Sequence, residues 1–336
     1  MNGLFYSQRD IRSFVAGLAT SRLHLLQGIS GTGKTSLPIA FARAVGADSA
    51  LIPVQAGWRD RADLIGHFNS FEKRFHETEF LQALYRVRCP SHAGRPHFIV
   101  LDEMNLSHPE QYFADLLSAL EANGEQAISL MPAAAANPPA GLREGRTLLL
   151  PENVWFVGTA NHDETTKDFA DKTYDRAHVM ELPRHRESFQ ASPAPVRPPI
   201  AHRALCDAFR EAERQFRAEA QKAYSFLDSS LSEVLAERFG VGWGNRLERQ
   251  VSSFVPVVIA AGGDIGEAVD HLLATKILRK IRDRHDTRPE DILALKKRLD
   301  SDWGDLTRKS DPSRSVEILR GELRRLGGAS DGEQGG

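Results

Sequence analysis

Gly28-Ile29-Ser30-Gly31-Thr32-Gly33-Lys34-Thr35 leaves this chain few ways to fold. The segment follows the apolar run Leu23-His24-Leu25-Leu26 and opens the helical run SLPIAFARAV, which begins at Ser36. Strand, glycine-rich turn and helix in that order satisfy the GxxxxGK[ST] pattern in the context that gives it meaning. Glycines let the backbone N–H groups turn inward, and the helix N-terminus adds partial positive charge, so the loop suits a phosphate chain. Gly28, Ile29, Ser30, Gly31, Thr32, Gly33 and Ser36 are thus assigned to the phosphate cradle. Lys34 is assigned to the β- and γ-phosphates of a nucleotide, and Thr35 to Mg²⁺.

Two later segments complete the pattern. His97-Phe98-Ile99-Val100-Leu101 reads as a buried strand, and it ends in Asp102-Glu103. Open α/β sheets bind ligands at the C-terminal ends of their strands, where this pair falls. Asp102 can hold Mg²⁺ through water, and Glu103 can act as general base on an attacking water. The adjacent base disfavours small-molecule kinases, whose acceptor is the hydroxyl of a second substrate. Val154-Trp155-Phe156-Val157-Gly158-Thr159-Ala160-Asn161 is another buried strand with a polar end. If it lies between the other two, Asn161 can hold the hydrolytic water near the γ-phosphate.

Runs of four or five apolar residues, each followed by a polar or glycine-rich turn, read as parallel strands covered by helices on both faces. A three-layer α/β domain over residues 1–186 follows. Gly57–Tyr85 is an insertion in it, and a hairpin is expected near 127–150, its tip the Pro- and Ala-rich stretch Met131–Arg146. Four prolines between residues 187 and 202 mark a linker. Residues 203–326 change to helical periodicity, with stripes such as Leu227, Leu231, Leu235 and Phe239, and read as a smaller all-α lid. Residues 327–336 read as a disordered tail.

Bulk properties exclude several classes. The 43 basic and 45 acidic residues give a net charge of -2, so no global field draws the chain to nucleic acid or membrane. Two isolated cysteines, Cys89 and Cys206, point to a reducing compartment with no disulfide framework and no zinc site. With no signal segment and no long apolar run, a cytoplasmic location without membrane partners is expected.

The order of these elements resembles the AAA+ superfamily, and the detail resembles its McrB-type, MoxR and dynein-related branch. Asp102-Glu103-Met104-Asn105 and the later Leu116-Leu117-Ser118-Ala119-Leu120-Glu121 look like that branch's DE[IM]N…LxxxLE segment. Gly158 to Thr166 (GTANHDETT) looks like its sensor strand and the polar turn after it. Tyr174-Asp175-Arg176 resembles the MoxR-like LDR end of the next helix, where the arginine finger lies. The resemblance spans roughly residues 15–285. It implies a homo-oligomeric, hexameric ring with Arg176 reaching a neighbour's nucleotide and Asn161 sensing the γ-phosphate. In GWGNRLERQ it puts Arg246, or Arg249, near the nucleotide. The branch includes a GTP user among ATP users; with no NKxD motif here, ATP is preferred and GTP stays open.

Two departures stand out. Where McrB-type proteins have NTADRS, this chain has Asn161-His162-Asp163-Glu164-Thr165-Thr166. It also starts almost at the phosphate-binding domain, so target recognition is expected to belong to a partner, or the chain is a fragment. The Gly57–Tyr85 insertion carries Trp58, Phe68, Phe71, Phe75 and Phe80. In the resembled branch an insertion here points at the central pore, which makes His67, Phe68, Asn69 and Lys73 candidates to grip a strand or peptide. The alternative is that the aromatics pack the insertion onto the core. Lys276–Arg298, with nine basic and four acidic residues, is either a DNA-facing strip or a solvated helix face. The expected function is a motor acting on a macromolecule, with DNA in a prokaryotic restriction or defence system and a separate nuclease or other effector as partner. A MoxR-like chaperone acting on protein clients is the alternative.

Overall fold

The computed structural model describes residues 2–3, 5–122, 124–134, 137–161, 167–184, 189–190 and 198–327. The polar turn expected after Asn161, most of the proline-rich linker and the tail from residue 328 onward lie outside the described residues.

Five parallel strands form the central sheet: β1 (Leu23–Gly28), β2 (Asp48–Pro53), β3 (His97–Asp102), β4 (Val154–Asn161) and β5 (His178–Glu181). Their spatial order is β5-β1-β4-β3-β2. Every residue of β1 is buried, and so is every residue of β4 except Asn161. Successive side chains of a strand point to opposite faces, so burial without alternation requires cover on both.

The aromatic residues show what the cover is. Trp155 stands opposite Phe98 and stacks on it at 5.7 Å, and Phe98 meets Phe41 of helix α2 (Ser36–Val45) edge-on. One residue along, Phe156 lies against Phe80 of helix α3 (Glu79–Val87) and against Phe113, just before helix α4 (Ala114–Glu121). Helices therefore cover both faces, which makes the three-layer α/β arrangement.

The register lines up the polar strand ends. Asn161 pairs with Gly28 on one side of β4, and Gly158 pairs with Leu101 on the other. Gly158 is required by proximity: a Cβ there would lie 2.3 Å from Met104 Sδ and 3.2 Å from Leu25 Cδ2. Besides the short antiparallel pair of Asn2–Gly3 with Phe189–Gln190, two small antiparallel pieces lie outside the main sheet. One is the hairpin of Gly66–Asn69 with Arg74–Glu77; the other has Thr147–Leu149 between Ala127–Ser129 and Leu142–Arg143. Helix α5 (Asp171–Arg176) precedes β5.

A second compact unit is all-helical. It takes Asp207 onward together with Ser7–Thr20, so helix α1 (Gln8–Thr20) groups with the C-terminal helices and not with the sheet that follows it. The other members are α6 (His202–Gln215, which crosses the division), α7 (Arg217–Phe226), α8 (Ser232–Phe239), α9 (Asn245–Ala260), α10 (Ile265–Leu272), α11 (Pro289–Leu306) and α12 (Ser313–Arg325). The predicted stripe Leu227, Leu231, Leu235 and Phe239 is buried, and α8 stops at Gly240 in the left-handed conformation.

Ion pairs bind α1 into this unit. The fully buried Asp270 carboxylate on α10 accepts from Arg9 at 2.6 Å and from the Ser315 N–H and hydroxyl at 2.9 and 2.6 Å. Arg12 makes two bonds to Glu267, and Arg314 bonds the buried Asp10 at 3.0 Å. No helix among the described residues is long and apolar enough to cross a membrane.

Removing one partner of a buried, hydrogen-bonded charge leaves the others unpaired, at a cost of about 3–5 kcal/mol. Arg9 retains some solvent contact, so Asp270→Ala is expected to destabilise the chain by about 3 kcal/mol. Urea unfolding followed by helical circular dichroism measures this. A midpoint equal to wild type would show that these bonds contribute nothing net.

Candidate nucleotide-binding site

The loop after β1 turns through left-handed backbone at Gly28, Gly31 and Gly33 (φ 146°, 81° and 87°). At Gly28 space is limiting as well, since a Cβ would sit 2.6 Å from the Leu182 carbonyl oxygen. Ile29, Ser30 and Gly31 form the exposed outer part of the loop, while Thr32 and Lys34 are buried. A buried ammonium must be hydrogen-bonded, and Lys34 Nζ donates to the carbonyls of Gly28 and Ile29 at 3.1 and 2.8 Å. The Thr32 hydroxyl closes back on the Ile29 carbonyl at 3.1 Å. From the other side of the loop, Tyr6 donates to the Gly33 carbonyl at 2.8 Å. Burial pushes the Tyr6 phenol up to about 12, so it remains a donor at neutral pH. Ser36 is the exposed first residue of α2.

Asp102 stands at the end of β3. Its Oδ1 accepts from the Thr35 hydroxyl at 2.7 Å and from the Thr159 hydroxyl at 2.8 Å. Among the described residues its Oδ2 has no hydrogen-bond partner. A hydroxyl and a carboxylate side by side are the hard oxygen donors that Mg²⁺ takes, alongside water and substrate phosphate. Thr35 and Asp102 therefore fit that ion.

Glu103 follows in left-handed backbone, φ 53° and ψ 47°. A residue with a Cβ pays on the order of 1 kcal/mol or more for this. Its N–H donates to the Thr159 hydroxyl at 2.9 Å, so one threonine both orients Asp102 and holds the turn at Glu103. The Glu103 side chain is exposed, and Asn161 Nδ2 lies 3.4 Å from its Oε1. The buried Asn105 donates to the Asn161 carbonyl at 2.9 Å.

Lys34, Thr35, Asp102, Glu103 and Asn161 thus lie at the C-terminal ends of the neighbouring strands β1, β4 and β3. Arg176 takes a different partner. At the end of α5 it forms an ion pair with Glu121, the last residue of α4, at 2.7 Å, and its side chain is one-quarter exposed. Arg246 and Arg249 belong to the helical unit, exposed on the first turns of α9.

Thr159, Asn105 and Tyr6 had not been singled out as site residues. A threonine inside a strand is ordinary by β-propensity, and only the pairing of β4 with β3 sets it beside Asp102. Thr159→Val keeps the shape and removes a donor and an acceptor. At about 1–1.5 kcal/mol for each bond, hydrolysis of a bound nucleoside triphosphate should fall at least about tenfold, with nucleotide affinity little changed. Phosphate release and a fluorescent-nucleotide titration read the two quantities separately.

No curated protein matches the chain. Residues 24–177 match the family model described as AAA domain (dynein-related subfamily). That span holds β1 from its second residue, all of β2, β3 and β4, and every candidate residue apart from Arg246 and Arg249, and it ends just before β5. Over residues 24–177 the chain is thus similar to an AAA domain.

Proposed function

We propose that this chain is one subunit of a ring-forming, hexameric AAA+ motor of the McrB type. It couples ATP hydrolysis to translocation along DNA, or its remodelling, in a prokaryotic restriction or defence system. A separate nuclease or other effector would act with it. The hydrogen-bonded series Thr35–Asp102–Thr159–Glu103 carries the hydrolytic part of this reading. It supports a carboxylate at the strand end that is exposed, adjacent to the Mg²⁺ ligands and held in one backbone conformation.

In the proposed chemistry, Lys34 and the loop N–H groups balance the charge of the β- and γ-phosphates. Glu103 takes a proton from the attacking water as the bond from the γ-phosphorus to the leaving oxygen breaks, and Asn161 orients that water. Thr35 and Asp102 would hold Mg²⁺, which neutralises phosphate charge when bound. Arg176 would exchange Glu121 for the nucleotide of a neighbouring subunit. Arg246, or Arg249, would contact nucleotide from the helical unit. ATP is favoured over GTP for want of a guanine-reading NKxD segment.

The insertion supports a substrate-gripping element in part. Phe80 is buried, and Phe75 and Trp58 pack against the core. Phe68 is 38% and Phe71 99% exposed, on the hairpin that also carries His67, Asn69 and Lys73. The Lys276–Arg298 segment presents no unbroken positive face. Lys276 is buried, and Arg284, Lys296 and Arg298 pair with Asp286, Asp300 and Asp302. An exposed aromatic tip suits a peptide as well as a base, which keeps a MoxR-like chaperone as the second reading. Hydrolysis stimulated by DNA supports the motor; stimulation only by a protein client supports the chaperone.

Glu103→Gln should bind nucleotide normally and lose about 10²–10⁴-fold in hydrolysis. In assembled protein Arg176→Ala should lose about 10³–10⁵-fold, whereas Glu121→Gln, which breaks the same ion pair, should not. Phosphate release and mass photometry with nucleotide check both. A monomer under every condition, with hydrolysis indifferent to Arg176→Ala, would sink the ring.

A further inference from the structure

Three donor side chains converge at the opposite ends of these strands from the phosphate loop. Asp48 begins β2, His97 begins β3, and His92 lies in the connection between α3 and β3. His92 Nδ1 is 2.9 Å from Asp48 Oδ2, and His97 Nδ1 is 3.8 Å from the same oxygen. All three donor atoms lie within 4.8 Å of one another. Two ligands on one tetrahedral zinc, each about 2.0–2.1 Å from the ion, stand about 3.3 Å apart. The two separations from Asp48 bracket that value.

The orientation of His97 is also that of a ligand. Its Nε2 lies 3.1 Å from the His92 carbonyl oxygen. A carbonyl can only accept, so Nε2 carries the proton and Nδ1 turns its lone pair toward Asp48. Metal-bound histidines are oriented in this way, with the far N–H on a backbone carbonyl or carboxylate. The connection itself is pinned. Asn153 Nδ2 donates to the carbonyls of Arg95 and His92 at 2.7 and 3.3 Å, and the His97 N–H donates to the Asn153 carbonyl at 2.8 Å. The His97 side chain is buried, while those of His92 and Asp48 are 31% and 45% exposed, so solvent ions can reach the cluster.

We propose that Asp48, His92 and His97 form a zinc site whose fourth ligand is water. Two imidazoles and one carboxylate suit Zn²⁺, whereas Mg²⁺ and Ca²⁺ take oxygen. Without metal, the His92 Nδ1–H donates to Asp48; zinc takes the place of that proton. The ion would clip the α3–β3 connection to the starts of two strands, independently of the nucleotide chemistry at their other ends.

The test uses the untagged full chain, stripped with chelator and titrated with zinc chloride by calorimetry and with cobalt(II) by visible absorption. Wild type should bind one ion per chain, with the intense visible bands of four-coordinate cobalt. His92→Gln and Asp48→Asn alter partly exposed residues and should keep the wild-type circular dichroism and nucleotide affinity. Each should weaken zinc by at least the roughly 10–100-fold that loss of an outer-shell partner costs. His285→Gln, at an exposed histidine elsewhere, should change nothing. No binding by wild type, affinity unchanged in both cluster variants, or an equal loss in His285→Gln would overturn the proposal.

Discussion

The site depends on the hydroxyl of Thr159. It reaches Asp102 with its proton and receives the Glu103 N–H with its lone pair. Both contacts exist because β4 is inserted between β1 and β3, although it comes later in the chain than either. The candidate metal-binding carboxylate and the candidate base are consecutive residues with different proposed tasks. One polar group between them keeps the tasks separate: Asp102 is turned toward Thr35, while Glu103 is set in left-handed backbone with its side chain toward solvent.

That backbone is unfavourable for a residue with a Cβ, and the surroundings hold it in place. Met104, immediately after Glu103, fills the space that Gly158 leaves open, and Tyr112 donates to the Met104 carbonyl at 2.8 Å. Asn105 then ties the turn to the end of β4 through the Asn161 carbonyl. Strain at a candidate catalytic residue is thus offset by packing and hydrogen bonds on either side of it. The helical unit uses a different device. Its N-terminal helix is fastened by carboxylates buried under arginines and by backbone donors, contacts that specify where α1 docks as much as they stabilise it.

Much of the α/β unit was legible in the chain because its signals are local. A strand of four to six apolar residues, a glycine-rich turn that needs positive φ, and a helix opening at Ser36 each depend on neighbours in sequence. The acidic end of β3 and the polar end of β4 could be read for the same reason. Thr159 could not, because its neighbours in sequence are those of any buried strand. Nor could the pairing of Arg176 with Glu121: Asp175 and Asp171 were the nearer acids, and the choice among them is made by where α4 ends beside α5.

By itself the sequence determined the kinds of element and the chemistry each could offer. These follow from backbone preferences and side-chain pKa, which act over a few residues. Tertiary structure decided the neighbours. It put β4 in the centre of the sheet, set the polar ends of three strands side by side, and assigned α1 to the helices that follow the sheet domain. Hydrogen bonds and close packing operate across a few ångströms of space, whatever the distance along the chain. Thr159 and Asn105, which lie in the resembled segments without a task assigned to them, and Tyr6, which lies in none, therefore became part of the site.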